Sequence, residues 1–268
     1  MAHKWQTGRR APGFKLIDAL NFGLLAAALI WLLARGSVQL GYHWQWYRVP
    51  AYLASRSGGQ WVAGPLLQGL AVTLEITGMS LVLATLVGLL CAILRLSPSY
   101  LGRLVARLYL ETVRNTPLLV QLFFIYFVLA PVCGIDRLAS AVLALSLFEG
   151  AYASEIFRAG IVSIAAGQWE AAHSLGLNAP QTYRYIILPQ AVRRVLPPLA
   201  SQAVSLVKDS ALVSTIAIYD LTMQGQAIIA ETYLVFEVWF VVAAIYLVLT
   251  LSLSLGVRAL ERHLRVAA

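Results

Sequence analysis

Charge is what this sequence has least of. Only 12% of its 268 residues are Asp, Glu, Lys or Arg, against 60% apolar, whereas soluble domains carry roughly 25% charged residues. A soluble helical protein would need a water-facing surface that this composition does not supply. With a mean hydropathy of +0.75, the chain is read as a membrane protein. Lysine is scarcest of the charged residues: Lys4, Lys15 and Lys208 stand alone. None sits in the G-x-x-x-x-G-K-[ST] setting that cradles nucleotide phosphates, so this chain does not bind ATP in that way. Cys91 and Cys133 lie in or beside apolar segments and make no disulfide framework. His3, His43, His173 and His263 fall in loops or termini, which leaves no Ser–His pair within a span and weighs strongly against an intramembrane serine protease. No internal repeat and no inverted symmetry between halves is evident, which weighs against a self-contained secondary transporter.

What the chain does have is apolar runs. They extend from about Leu16 to Ala34, Pro65 to Leu94, Leu118 to Pro131, Leu138 to Ile161, Leu196 to Tyr219 and Tyr233 to Val257. A bilayer takes about 20 apolar residues per helix, so about six transmembrane helices are predicted in an all-α fold. The third run is short and is expected to extend backwards through the amphipathic "RLVARLYLETVRNTP", entering from the membrane surface. The first has basic residues ahead of it, as a signal peptide would, but "LLARGSVQLG" is a poor cleavage flank; a retained helix is predicted. The "GYHWQWYRVPAYL" after it alternates Tyr and Trp with polar groups. It is expected to rest at the outer membrane surface, with a docking surface for an external partner as the alternative.

The net charge of +8 would suggest nucleic acid in a soluble protein. Here the cations cluster between apolar runs, and they set orientation instead. Lys4, Arg9, Arg10 and Lys15 precede the first run, and Arg95, Arg103 and Arg107 follow the second. Arg184, Arg193 and Arg194 follow the fourth, and Arg258, Arg262 and Arg265 the sixth. The opposite loops hold only Arg35, Arg48, Arg56 and Arg137. Both termini are therefore expected in the cytoplasm, together with the loop after the fourth run.

That loop reads "AAGQWEAAHSLGLNAPQTYRYIILPQAVRRVLPP". Ala171, Ala172 and Leu175 favour helix, and Gly176 suits a left-handed C-terminal cap. Asn178 and Pro180 are turn chemistry. "QTYRYIIL" restarts a helix that Pro189 is expected to interrupt, giving two short helices at an angle. Small Ala side chains permit close approach while Glu170 and His173 offer polar anchors, as in a helix that seats in a groove. An ordinary amphipathic loop is the plainer alternative.

The spacing of Glu170-Ala171-Ala172, Gly176 and Ile186-x-Leu188-Pro189 resembles the signature loop of ABC importer permeases. "YLETVRNTPLLVQLFFIYF", "GAYASEIFRAGIVSI", "IILPQAVRRVLPPL" and "SLVKDSALVSTIAIYDLT" are similar to the polar amino-acid uptake branch of that family. The resemblance spans roughly Leu66 to Val257, with one departure: Lys208-Asp209-Ser210-Ala211-Leu212 stands where members often read Lys-Asp-Thr-Ser-Leu. It implies the type I ABC importer permease fold. It also implies a polar amino-acid substrate, a second permease chain (identical or homologous), two ATPase subunits and an external substrate-binding protein. No cofactor or metal is implied in this chain, and no nucleic acid. Glu170, Ala171, Ala172, His173, Gly176, Ile186, Leu188 and Pro189 would dock the ATPase.

The expected organisation is a cytoplasmic segment (1–15), an extra helix (16–35), an external aromatic-rich loop (36–64) and the permease domain (65–258, with the coupling loop at 163–195). A cytoplasmic tail (259–268) closes the chain. Ionisable groups inside spans are functional candidates. On the fifth run Ser201, Gln202, Ser205, Lys208 and Asp209 recur at helical spacing as one polar stripe, lining either a helix interface or a wet path. Glu149, midway along the fourth, suits an amino acid's ammonium group or a structural pair with Lys208. Glu75 is expected toward an outer vestibule. Glu155 and Arg158 are expected to pair, and Arg114 with Pro117 to mark the inner start of the third run. The rival function is a stand-alone ion-coupled carrier or channel, which accounts for Glu149 and Lys208 but not for the loop.

Overall fold

The computed structural model describes residues 13–39, 41–57 and 59–264. Lys4, Arg9, Arg10 and Arg265, with the outermost parts of the two terminal segments, lie outside the described residues. The chain divides into a unit up to Gln45 and a unit from Trp46 onward.

In the first unit α1 (Gly13–Gln39) is a single helix that covers the apolar run at 16–35. Its large apolar side chains from Leu20 to Leu32 are exposed. The Arg35 guanidinium lies over the Trp31 ring, 5.1 Å from its centroid.

In the second unit the later part of the expected aromatic loop carries regular structure. A tight turn (Trp46–Arg48) leads into α2 (Val49–Leu53) and a hairpin of β1 (Ala54–Ser57) and β2 (Gln60–Ala63), antiparallel with Ala54 opposite Ala63. Tyr52 and Leu53 pack on Leu66, Leu221, Leu234 and Val238, so these residues belong with the bundle.

The bundle is organised around α3 (Pro65–Leu96) and α7 (Arg137–Val162). Pro65 opens α3, where its missing N–H costs nothing, and Asp136 caps α7 by accepting from the Ala139 N–H at 2.6 Å. Ser80, Ala84 and Gly88 recur every four residues on α3, as Ser146, Gly150 and Ser154 do on α7, and all of them are buried. Lipid offers no hydrophobic drive between helices, so small residues that let backbones approach supply the packing. A Cβ on Gly88 would meet the Ala153 Cβ at 2.7 Å and the Gly150 carbonyl at 2.9 Å.

The third run is broken. α4 (Tyr100–Arg114) meets the segment from Leu118 to Cys133 at 107°, so the backward extension is a separate, amphipathic helix. That segment comprises α5 (Leu118–Phe123), a wide π turn (Phe124–Leu129) and α6 (Ala130–Cys133). The π turn has a plain cause. Pro131 comes just after it, and proline has no N–H and crowds the carbonyl four residues back; the wider turn relieves the crowding, with the Ala130 N–H bonded to the Ile125 carbonyl.

The same device recurs after α8 (Ala166–Ser174) and α9 (Ala179–Thr182). A π turn over Tyr183–Ile187 precedes α10 (Leu188–Asp209), and the Leu188 N–H bonds to the Tyr183 carbonyl. Pro189 therefore does not interrupt the helix, contrary to expectation; the helix widens for one turn and continues. The fifth run is not one helix to Tyr219. α10 ends at Asp209, a tighter three-residue-per-turn helix covers Ser210–Ile216, and Ala217 turns back with φ +58°. Then come α11 (Leu221–Thr232) and α12 (Val235–Leu264). Among the described residues α3, α7 and α12 are long and apolar enough to cross a membrane singly, and the bent α4–α6 segment makes a fourth crossing only if its two arms count as one span.

Candidate docking loop and buried polar cluster

α7 ends at Val162, and the chain leaves the bundle through Ser163, whose hydroxyl accepts from the Arg194 guanidinium on α10 at 2.9 Å. α8 closes at the glycine. Gly176 takes φ +71°, its N–H bonds to the His173 carbonyl at 2.9 Å, and the Leu177 N–H reaches the Ala172 carbonyl at 3.1 Å. This double closure is the Schellman arrangement. Asn178 then starts α9 with a reciprocal capping box to Gln181. Two braces tie α8 to the helical segments after it. The Trp169 ring stands edge-on to Tyr183 at 5.3 Å, and Gln190 Nε2 donates to Gln168 Oε1 at 3.1 Å.

The loop is thus a braced projection rather than an open tether. Glu170, Ala171, His173, Gly176, Leu188 and Pro189 are exposed on it, and Ile186 is half-buried. Ala172 is a correction: it is 1% exposed and packs inward, because one face of so short a helix has to anchor it. By composition Leu175 is only a helix former. In the structure it is 75% exposed beside Gly176, an apolar knob at the loop's tip, and its place immediately before a capping glycine was the available signal.

Inside the bundle the expected single stripe on α10 splits into two. Gln202 and Asp209 face Glu149 of α7, which is 2% exposed with no hydrogen-bond partner for Oε2. Ser201, Ser205 and Lys208 line a separate groove against α12 with Ser254, Arg258 and Glu261. The two rows lie about 100° apart on the helix, a rotation that residue spacing alone blurs. Lys208 is therefore no partner for Glu149. Glu75 is exposed on α3 and joins neither group.

At the end of the bundle that carries α8, Glu155 pairs with Arg158 as expected, Nη2 to Oε2 3.2 Å. It also accepts from Arg95 at 2.8 Å and Arg114 at 3.3 Å, so it joins α3, α4 and α7 in a way that no local spacing reveals. At the opposite end sequence reasoning missed Asp220. It caps α11 through the Met223 N–H at 2.9 Å and lies 3.4 Å from the Tyr246 hydroxyl of α12, while Thr73 of α3 accepts from the Leu221 N–H at 3.1 Å. Glu237 is fully buried in the first turn of α12; its apolar neighbours in sequence hide it from a hydropathy reading.

Residues 84–266 match the family described as binding-protein-dependent transport system inner membrane component. The glutamine transport system permease protein GlnP of Escherichia coli (strain K12) is 40% identical over 210 residues, 77% of this chain and 96% of that protein. The L-cystine transport system permease protein TcyB of Bacillus subtilis (strain 168) is 40% identical over 204 residues, 75% and 87% of the two chains. Among solved structures, an amino acid ABC transporter crystallised with histidines matches with a TM-score of 0.70 at 40% identity, covering 74% of this chain and 94% of that one. The methionine ABC transporter MetNI, inward facing, shares the fold at a TM-score of 0.65 and 19% identity, over 75% and 97%.

Proposed function

The chain belongs to the family of binding-protein-dependent transport system inner membrane components, and from that premise we propose that it carries a polar amino acid inward. It is a multi-pass protein of the cytoplasmic membrane and the permease subunit of an ABC importer. The relatives named for glutamine and cystine support the cargo class. Both termini and the α8 loop lie in the cytoplasm, a reading supported by the arginine distribution.

ATPase partners, a binding protein and a second permease chain go with the family. Specifically, two ATPase subunits grip the loop, an identical or homologous permease closes the path, and an external protein delivers substrate. This chain performs no catalysis and holds no cofactor; nucleotide chemistry stays with the partners. A braced loop is what such coupling requires. A flexible one would absorb the displacement, whereas α8 is tied by Trp169–Tyr183 and Gln168–Gln190 to the helix that continues as α10. Force on α8 is thereby delivered to Gln202 and Asp209 on α10, opposite Glu149, and biases a two-state bundle. Glu149 is then the group for the substrate's ammonium.

The observation that carries this reading is the braced, exposed α8 surface closed at Gly176. Its test is co-purification with the ATPase. Gly176→Asp places charge at a tip where a Cβ meets nothing within 4 Å, so it is expected to release the ATPase while the chain still inserts. Gly176→Asn tolerates positive φ and is expected to retain it. Co-purification unchanged in the Asp variant counts against docking. The rival carrier predicts uptake abolished by a proton uncoupler and indifferent to ATP depletion; the opposite is expected.

A further inference from the structure

A cavity of about 570 Å3 lies between the end of α3, α4 and the end of α7. Arg95, Arg103, Arg107, Arg114 and Arg158 line it, against two carboxylates, Glu111 and Glu155. Glu155 is committed to Arg95, Arg114 and Arg158, and Glu111 accepts from Asn115 at 3.1 Å. Among the described residues no carboxylate forms an ion pair with Arg103 or Arg107. The cavity thus holds an excess of positive charge.

α4 adds direction. Arg103, Arg107 and Arg114 fall on one side, and Leu101, Leu104, Val105 and Leu108 are exposed on the other. The 107° bend means that if α5–α6 crosses the bilayer, α4 lies close to its plane. Basic residues on a helix so placed attract anionic headgroups, while its apolar side enters the acyl boundary. Free phosphate would use the arginines alone and leave the apolar side without a role.

We propose that this cavity is a binding site for the phosphate headgroup of an anionic phospholipid, with its acyl chains along the apolar side of α4. The proposal rests on the chain's membrane-spanning character and not on its cargo or its docking loop. Because Glu155 bridges α3, α4 and α7 at the cavity wall, an occupying headgroup sits against the joint of three helices.

The test uses the full chain, purified in detergent, stripped of lipid and equilibrated with equal phosphatidylglycerol and phosphatidylcholine. Native mass spectrometry then counts the lipids retained. Wild type is expected to retain phosphatidylglycerol in preference. Each arginine near an anionic surface contributes about fivefold, so the Arg103→Gln, Arg107→Gln double variant is expected to retain it roughly 25-fold more weakly. The Arg103→Lys, Arg107→Lys variant keeps the charge and is expected to keep retention, which separates charge from folding. Equal retention of the two lipids by wild type, or unchanged retention by the Gln variant, overturns the site. Displacement of phosphatidylglycerol by millimolar inorganic phosphate overturns the lipid assignment. None of these readouts involves uptake, so failure here is distinguishable from failure of the transport reading.

Discussion

A single carboxylate buried in a membrane bundle has to be explained by its neighbours. Glu149 faces an amide and a second acid, Gln202 and Asp209, and not the lysine one residue before Asp209. Glu149 bonds to Gln202 and Asp209 across α7 and α10, and its second oxygen, left without a partner, is free to accept from a cation. Hydrogen bonds to charged groups are worth about 1.5–3 kcal/mol. Glu149→Gln is accordingly expected to lower uptake of labelled substrate roughly ten- to hundredfold, with the assembled complex recovered at wild-type yield. Equal loss of assembly and uptake would make Glu149 structural. Lys208→Gln, in the groove toward α12, is expected to leave the buried cluster intact.

Two elements here widen ahead of a proline, although Pro197 and Pro198 lie inside α10 with no such turn. Both π turns sit immediately ahead of a proline, Pro131 or Pro189, and each shifts everything beyond it by one residue's rotation. Pro189→Ala allows the turn over Tyr183–Ile187 to close to an ordinary helix. Thermal stability of that variant is expected to hold or rise, while ATPase co-purification falls because α8 is turned relative to α10. Wild-type co-purification would mean the π turn has no part in coupling. At the other end Asp220→Ala removes a cap joined to Tyr246, and a loss of about 1–2 kcal/mol is expected from the cap, read as a lowered melting temperature in detergent.

At the scale of the whole molecule the α3–α7 crossing decides whether the bundle forms. Gly88→Val drives a side chain into Ala153 and the Gly150 backbone; overpacking of this kind costs about 1–3 kcal/mol, so lower accumulation and earlier melting are expected. Gly78→Ala on the same helix meets nothing within 4 Å and should be neutral or stabilising by about 0.5–1 kcal/mol. If the two variants melt alike, the crossing is not the organising contact.

Much of this was legible in the residues. The membrane setting, the left-handed cap at Gly176, the turn at Asn178 and the Glu155–Arg158 pair all depend on composition or on neighbours within four positions. The small-residue stripes at Ser80-Ala84-Gly88 and Ser146-Gly150-Ser154 are also local spacings, though within apolar runs they do not stand out until the two helices are seen to cross. By itself the sequence determined that the chain is a helical membrane protein with one structured polar loop, because hydropathy, capping and turn chemistry are local properties of the backbone. Only the tertiary structure decided that Ala172 faces inward, that Lys208 and Glu149 part company, that the third run folds back at 107° and that five arginines gather at one cavity. Those outcomes depend on helix rotation and crossing, which are set by contacts between residues dozens of positions apart.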